Sequence, residues 1–278
     1  MTSPKSDSAP VRPDAVTGVG ASVLPISVCM VSGAEAHRIA RALESVSGWV
    51  GEIVVVLNQE VQDGTDQVVA RFGGTVIREP WKGFIGQKNS VAAKASQPWL
   101  LNLDADEAVS PPLRAAIESL FRDPTRLDRH VAFEFPRCTR YLGRWIRHGD
   151  WYPDRVQRLW RRGAGHWAGV DPHARLEVKG TLGRLRGDLL HYSMETFDHQ
   201  ITKTIAYADD FVRHTNAGGR RITQLDLLVR PTWRFVRAYL LRLGFLDGWQ
   251  GYSIAWMTAF YTFLRYAKAR AAVEASEA

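Results

Sequence analysis

Residues 99–107 read WLLNLDADE, a short apolar run that ends in a group of acids. The run is typical of a buried strand, and Asp104, Asp106 and Glu107 follow at its carboxyl end. Parallel α/β sheets bind ligands at this end of their strands, and carboxylate oxygens are suitable ligands for divalent cations. The segment therefore predicts a divalent cation site at the rim of a sheet. The alternative is that these acids only begin the helix that follows at Pro111.

The sequence on both sides of this segment alternates between strand and helix patterns. Apolar, β-rich runs occur at residues 26–31, 52–57, 75–78 and 99–104. Helical patterns follow them at residues 35–45, 63–72, 86–95 and 111–121. Four strand–helix units in this order predict a mostly parallel, Rossmann-like α/β sheet whose ligand site lies at the strand ends. The acids of residues 104–107 then lie at the mouth of that site.

The pattern changes after about residue 130. Short strands separated by Gly, Pro and His are predicted at residues 131–135, 156–160, 175–178 and 189–192, as in a small mixed β extension. Long helices follow from Phe197 to the end. We therefore expect three parts: a disordered Ser-, Pro- and Gly-rich tail at 1–22, an α/β domain at 23–195 and a helical extension at 196–278.

Composition restricts the class of protein. The chain has 278 residues, 45% of them hydrophobic, which is enough for one large α/β core with an extension. Its two cysteines, Cys29 and Cys138, form neither a metal-ligand motif nor a disulfide framework, so a reducing cytosol is the simplest compartment. The formal net charge is +7, but no nucleic-acid-binding motif accompanies it, and we expect no nucleic-acid partner.

Much of the positive charge is concentrated near the C-terminus. On a helix that begins near Pro231, one arc carries Arg230, Arg234, Arg237 and Arg242, and the remainder carries Trp233, Val236, Tyr239, Leu240 and Leu243. This pattern predicts an interfacial helix on an anionic membrane leaflet, and a packed helical hairpin or dimer surface is the alternative. The uncharged stretch at 248–264 is too short and polar to predict a transmembrane helix.

Seven segments in this order resemble a known family. They read CMVSGAEAHRIARALESV, EIVVVLNQEVQDGT, EPWKGFIGQKNSVAAKA, WLLNLDADE, YPDRVQRLWRR, GDLLHYS and GFLDGWQGY. Together they resemble the inverting family 2 glycosyltransferases of the GT-A fold, and most of all the bacterial branch that adds a sugar, often β-linked glucose, to the inner core of lipopolysaccharide. The resemblance implies a nucleotide-sugar donor, Mg²⁺ or Mn²⁺, and a saccharide or glycolipid acceptor.

The resemblance also implies roles for single residues. Asp106 matches the residue that holds the metal on the diphosphate, and Asp104 matches one that faces the donor ribose or sugar. The other matches face the donor as well: Glu35, Gln87, Lys88 and Asn89. The family's usual asparagine before the first acid is Ala34 here, and the aspartate that reads the base is Leu57. Asp63 or Glu60 in the next loop are the candidates to replace it, so UDP-glucose is one candidate donor and the base stays open.

Inversion of the anomeric carbon requires a general base that deprotonates the acceptor hydroxyl. The His-Glu pair usual late in the family's domain reads His173-Ala174, so its carboxylate is absent. Asp171, two residues earlier, is the preferred base, and Asp150 and Asp154 are the other candidates. A turn at Asp171-Pro172 is the alternative role for Asp171, and pairing with Arg155 or Arg158 is the alternative for Asp154. His173 is predicted either as a metal-site group or as a structural histidine.

Three tryptophans, Trp151, Trp160 and Trp167, are candidate sugar-stacking platforms, and core packing is their alternative role. The sequence thus predicts a cytoplasmic, metal-dependent, inverting glycosyltransferase on the inner membrane that acts on a lipopolysaccharide core or related glycolipid. Transfer to another polysaccharide or to a polyprenyl-phosphate lipid is the alternative activity. A non-catalytic binding module on the GT-A scaffold is the alternative from another class.

Overall fold

The computed structural model describes residues 23–171, 173–194, 196–215 and 222–277. The predicted tail, 1–22, lies outside them. The strands are Leu24–Ser32 (β1), Val50–Asn58 (β2), Thr75–Glu79 (β3), Trp99–Asn102 (β4), Glu107–Val109 (β5), Ala132–Tyr141 (β6), Arg144–Trp145 (β7), Asp154–Arg161 (β8), Gly165–Val170 (β9), His173–Val178 (β10), Leu182–Arg184 (β11) and Leu189–Met194 (β12). The helices are Ile39–Val46 (α1), Thr65–Arg71 (α2), Gly83–Lys94 (α3), Pro111–Phe121 (α4), Pro124–Asp128 (α5), Phe197–Thr215 (α6), Gln224–Val236 (α7) and Gly248–Glu277 (α8).

The first four strands form the predicted parallel sheet, in the order β3-β2-β1-β4. The centres of β1 and β2 are buried because their Val, Ile and Met side chains are covered on both faces, as parallel sheets require. Helix α1 packs onto one face through Ile39, Leu43 and Val46. Parallel pairing aligns the carboxyl ends of these strands, and this edge carries the acids of residues 104–107.

The second half continues the same sheet instead of forming a separate one. Strand β8 pairs antiparallel with β4, β6 antiparallel with β8, and β12 parallel with β6. Only β9 and β10 form a second, two-stranded sheet in the described residues. The mixed β extension is therefore confirmed, but it lies edge to edge with the parallel half. The proposed boundary between 195 and 196 stays a prediction.

Strand β5 was not predicted. It begins at Glu107, the last acid of the segment, and pairs antiparallel with β12. Residues 103–106 therefore form a turn whose two ends are fixed by different strands of the sheet. This turn holds Asp104 and Asp106 at the sheet edge, whereas Glu107 is drawn into the interior.

The C-terminal helices pack against the mixed half through a turn at residues 244–247. The Oδ2 atom of Asp247 accepts the backbone N–H groups of Arg147 (3.0 Å) and His148 (2.8 Å). Helices α7 and α8 pack against each other, joined by a π-helical turn at Arg237–Leu241. Among the helices described, none combines the length and apolar character that crossing a bilayer would need.

The predicted orientation of the basic arc is reversed. Arg234, Arg237 and Arg242 point toward Asp150 and lie 3.4–3.6 Å from its carboxylate, with 30–46% of their side chains exposed. Apolar residues of the opposite arc, such as Trp233, are exposed instead. The physical reason is that Asp150 is only 11% exposed, and a buried carboxylate requires cationic partners.

Candidate active site

A cavity of about 520 Å³ opens at the carboxyl ends of β1 and β4. The turn at residues 103–106 forms one wall, and β12 and α6 provide another. Its lining is dominated by charged side chains: Glu35, Arg38, Lys88, Asp104, Asp106, Arg137, Arg158, His191 and Lys203. The excess of cations over carboxylates in this lining suits an anionic ligand.

Asp104 is held by two cations. Its Oδ1 accepts a hydrogen bond from Lys88 Nζ (2.9 Å), and its Oδ2 accepts one from Arg158 Nη2 (2.7 Å). Burial would raise the pKa of the Asp104 carboxyl, but Arg158 and Lys88 outweigh it and lower that pKa. Burial lowers the pKa of Lys88, and the Asp104 carboxylate opposes that shift. Asp104 is therefore an ionised carboxylate whose two oxygens are already engaged.

Glu107, fully buried, fixes the shape of the turn. Its Oε2 accepts the backbone N–H of Asp104 (3.1 Å), and its Oε1 accepts hydrogen bonds from Arg158 (2.8 Å) and Arg137 (3.4 Å). Burial alone would lower the pKa of Arg158, but the carboxylates of Asp104 and Glu107 raise it. A buried guanidinium shared by two carboxylates, of which Glu107 is fully buried, makes this wall rigid.

Asp106 differs from both of its neighbours. Its Oδ2 lies 3.5 Å from His191 Nε2 and 4.0 Å from Arg38 Nη1, and its side chain is 20% exposed to the cavity. Burial raises the pKa of Asp106, but His191 and Arg38 outweigh that effect and lower it. Asp106 is thus the ionised carboxylate of the turn that keeps oxygen lone pairs available.

The chemistry of Asp106 and His191 fits a divalent cation. Carboxylate oxygen and imidazole nitrogen are both suitable ligands for Mn²⁺, and the carboxylate suits Mg²⁺. Within the described residues, no group of three or more His, Cys, Asp or Glu side chains is arranged to hold a metal ion by itself. A cation here would complete its coordination with water and ligand phosphate, as Mg²⁺ usually does. The side chain of His173, the predicted histidine, lies outside the described part of the chain.

The segment at residues 87–89 uses its side chains in two ways. Lys88 reaches the cavity, with Nζ 4.6 Å from the ring centroid of Trp167. Gln87 instead donates to the carbonyl of Pro80 (3.1 Å), and Asn89 pairs with both backbone groups of Trp167 at 2.8 Å. The prediction that all three face a donor therefore fits Lys88 alone, because the two amides anchor α3 to its surroundings.

The loop after β1 is held in place by Asp63, which lies two residues before the start of α2. Asp63 accepts the N–H of Ala36 (3.0 Å) through Oδ2, and the hydroxyl (2.6 Å) and N–H (3.1 Å) of Thr65 through Oδ1. The Thr65 hydroxyl and the Ala36 N–H lower the pKa of Asp63. Glu35 lines the cavity and pairs with Arg38, with 2.7 Å between Oε1 and Nη2. Asp63 thus positions the loop that carries Glu35 and Arg38.

The three candidate bases lie in different surroundings. Asp171 is exposed, and its Oδ1 accepts the N–H of Ile85 (3.0 Å), so it caps the first turn of α3. Asp150 is enclosed by the three arginines that point toward it. Asp154 pairs with Arg137 at 2.9 and 2.6 Å instead of with Arg155 or Arg158, and both contacts are to its Oδ2.

A second cavity, of about 370 Å³, continues from the first and is lined by Asp154 and Trp151. The two cavities share Arg137, His191 and Lys203. Trp151 is half-buried, packs edge to face with Tyr141 and lines the second cavity. Trp160 and Trp167 are buried and pack edge to face on each other, as core residues do.

Sequence reasoning did not single out His191, Lys203 or Arg38. His191 belongs to the quoted segment GDLLHYS. In a single sequence, a histidine within a strand-like run cannot be distinguished from a structural histidine. Lys203 lies on α6, and only the packing of that helix beside β12 brings it to the cavity. For Lys203, no local sequence signal was available.

Comparisons with known proteins identify the family of the chain. Residues 27–176 match the family model described as glycosyl transferase family 2. The chain is 30% identical over 252 residues to the lipopolysaccharide core biosynthesis glycosyltransferase LpsC of Rhizobium meliloti, covering 88% of this chain and 92% of the relative. It is 28% identical over 260 residues to an uncharacterized glycosyltransferase of Rickettsia prowazekii, covering 88% of this chain and 86% of that protein.

A solved structure also resembles the fold. It is a mannosyltransferase from Pyrobaculum calidifontis in complex with GDP-Man and Mn²⁺, with a TM-score of 0.51 and 15% sequence identity. The match covers 88% of this chain and 86% of that one. At this identity the likeness concerns the fold, which is of the GT-A type.

Proposed function

The chain belongs to glycosyl transferase family 2 and has the GT-A fold, and we propose that it transfers a sugar, with inversion, from a nucleotide-sugar donor to a lipopolysaccharide core or related glycolipid. The observation that carries the proposal is that the three carboxylates of residues 104–107 have different partners. Asp104 and Glu107 are engaged by buried cations, and Asp106 faces the cavity beside His191.

Asp106 and His191 are the proposed ligands of a Mg²⁺ or Mn²⁺ ion. When bound, the ion neutralises negative charge that develops on the leaving diphosphate as the glycosidic bond breaks. Arg38, which lines the same cavity, supplies further positive charge to the leaving group. Lys88 and Arg158 keep Asp104 ionised and in place, so the turn does not reorganise during the reaction.

Among the candidate bases, the geometry favours Asp154. It lines the second cavity, which adjoins the proposed metal site, and its Oδ1 accepts no hydrogen bond within the described residues. A carboxylate oriented by Arg137 through one oxygen leaves the other to accept the acceptor's hydroxyl proton. Asp171, the residue preferred from sequence, stays a prediction, and its contact with Ile85 supports a capping role.

The proposed acceptor class rests on the likeness to LpsC and on the surface of the C-terminal helices. On α8, exposed aromatic residues recur at helical spacing: Trp249, Tyr252, Trp256, Phe260 and Phe263. Exposed leucines of α7 and the turns extend this apolar face. Such a face suits the interfacial region of a bilayer, where a glycolipid acceptor resides. We propose that the enzyme works on the cytoplasmic side of the inner membrane, with UDP-glucose as one candidate donor.

Calorimetry with a panel of nucleoside diphosphates, each with and without Mn²⁺, tests the proposal. We expect one of them to bind with Mn²⁺-dependent affinity, and Asp106→Asn to weaken that binding at least about tenfold, because it removes a metal ligand. Asp128→Asn is the matched control, since Asp128 is exposed and pairs with Arg161 away from the cavity. Equal Mn²⁺-dependent binding by Asp106→Asn and the parent would refute the metal assignment.

A further inference from the structure

The acceptor side of the site extends beyond the second cavity. A third cavity, of about 280 Å³, shares Asp150, Trp151 and Lys203 with the second and reaches Arg234 on α7. The three spaces form one path from Asp106 to the C-terminal helices, and Lys203 lines all of them. A sugar bound next to Asp154 would therefore extend toward Arg234.

This path has more positive charge than its own carboxylates neutralise. The acids beyond the proposed metal site are Asp154, which pairs with Arg137, and Asp150. Asp150 has three arginine neighbours at 3.4–3.6 Å, which is longer than a tight charged hydrogen bond. One carboxylate neutralises one guanidinium, so these arginines keep positive charge and donors for a further anion.

Two more cations line the path. Arg155 and Lys203 have no carboxylate within 4 Å in the described residues. Burial lowers the pKa of Lys203, against the opposing attraction of Asp106. A cation that is partly withdrawn from water without a close partner is unfavourable, and a bound anion would relieve that cost. A neutral sugar would leave the desolvation cost of Lys203 uncompensated.

We propose that this path is an anion subsite, in which Arg155 and Lys203 line the second cavity and Arg234 lines the third, both cavities meeting at Trp151 and Lys203, and that it binds a carboxylate or phosphate group of the acceptor saccharide. The proposal rests on the glycosyltransferase function proposed above and specifies the acceptor of that site. Guanidinium groups bind carboxylate and phosphate oxygens with directed hydrogen bonds. The half-buried ring of Trp151 offers an apolar face to the sugar ring that carries the anion. The enzyme would therefore select charged acceptors over neutral ones.

Ligand-observed NMR titrations test the subsite with defined probes. The protein is first saturated with Mn²⁺ and the nucleoside diphosphate that binds best, so that the donor cavity is occupied. Glucose 6-phosphate, glucuronate and glucose are then titrated separately. We expect at least one charged probe to bind about tenfold more tightly than glucose, because it gains charge-assisted hydrogen bonds. The phosphate and carboxylate titrations show which anion the subsite prefers.

Two variants locate the binding. Arg155→Gln and Arg234→Gln should each weaken the charged probe severalfold and leave glucose unchanged. Arg234→Gln keeps Arg237 and Arg242 beside Asp150, so its fold should be retained. The control is Arg270→Gln, whose arginine pairs with Glu274 on the last turns of α8.

Equal affinity for charged and neutral probes, or equal losses in Arg270→Gln and the two cavity variants, would overturn the subsite. Failure of every nucleoside diphosphate to bind would refute the proposed function separately. The probe titrations are then repeated on the protein alone, where Arg155→Gln and Arg234→Gln still decide the subsite.

Discussion

At the scale of single residues, the site assigns different roles to carboxylates that are close in sequence. Asp104 and Glu107 share the guanidinium of Arg158, and this pairing balances both carboxylates without a bound ligand. Within the described part of the chain, the Asp106 carboxylate has the longer contacts to His191 and Arg38. Ligand binding at Asp106 therefore breaks no short ion pair, so most of the interaction energy is available for the ligand.

The choice of general base is a prediction at this scale. Asp154→Asn should lower kcat by about a hundredfold to ten-thousandfold, because the amide cannot accept the acceptor proton. Nucleotide affinity should stay near the parental value, since Asp154 lines the acceptor side. Asp171→Asn should keep near-parental kcat, because asparagine caps a helix about as well as aspartate. Steady-state kinetics with calorimetry of nucleotide binding checks both variants.

A melting curve serves as the control, since Asp154→Asn also alters the pairing with Arg137. If kcat collapses in Asp171→Asn and survives in Asp154→Asn, with binding intact in both, the base is Asp171 and the geometric argument is wrong.

The sequence predicted residues of the site only where the role depends on local order. Asp106 follows from a strand end and Lys88 from the family resemblance of the segment at residues 87–89, and both line the cavity. His191 and Lys203 reach it through the pairing of β12 with β6 and the packing of α6, which no local pattern encodes. The donor-facing role of Gln87 and Asn89 stays a prediction, and their contacts with Pro80 and Trp167 support a second role, in which the amides hold backbone groups.

At the scale of elements, boundaries were predictable where capping chemistry is explicit. Helix α4 spans Pro111–Phe121 as predicted, because the Ser110 hydroxyl accepts the N–H of Leu113 and Pro occupies the first turn. Helix α2 ends before Gly73, which takes a positive φ of 71°. Strand β5 was missed because three residues that begin with a buried glutamate carry no strand pattern; only pairing with β12 makes them a strand.

The turn before α8 gives a prediction about an element. Gly251 lies against the preceding turn so closely that a Cβ there would come 1.9 Å from the carbonyl oxygen of Gly244. Gly251→Ala should therefore destabilise the protein by about 1–3 kcal/mol, as overpacking does, and separate α8 from the loop at residues 147–149. Thermal melting checks the loss. Gly33→Ala is the control, because a Cβ at Gly33 meets nothing within 4 Å, and an equal fall in both variants would contradict the packing argument.

At the scale of the whole molecule, charge and apolar surface are separated on the C-terminal helices. Helical periodicity correctly placed the arginines on one arc, but periodicity alone does not say which arc faces the protein. Asp150, more than 80 residues away in sequence, attracts Arg234, Arg237 and Arg242 and so determines that the basic arc faces the protein. The apolar arc is left outside, next to the exposed aromatic stripe of α8. Membrane binding should then depend on insertion of apolar side chains more than on the arginines.

This orientation gives the last prediction, which concerns binding to lipid vesicles. Trp249 and Leu241 are 61% and 63% exposed on the apolar face. Trp249→Ser and Leu241→Ser should each weaken sedimentation with anionic liposomes by about 1 kcal/mol, or about fivefold, because less apolar area enters the interface. The effect should persist at high salt, which screens exposed charges. Trp81→Ser is the control, since Trp81 is 47% exposed and precedes α3, outside the apolar face. Unchanged vesicle binding in both apolar variants would refute the membrane-facing assignment. A shift of these variants from dimer to monomer in light scattering would instead assign the face to a second copy of the chain.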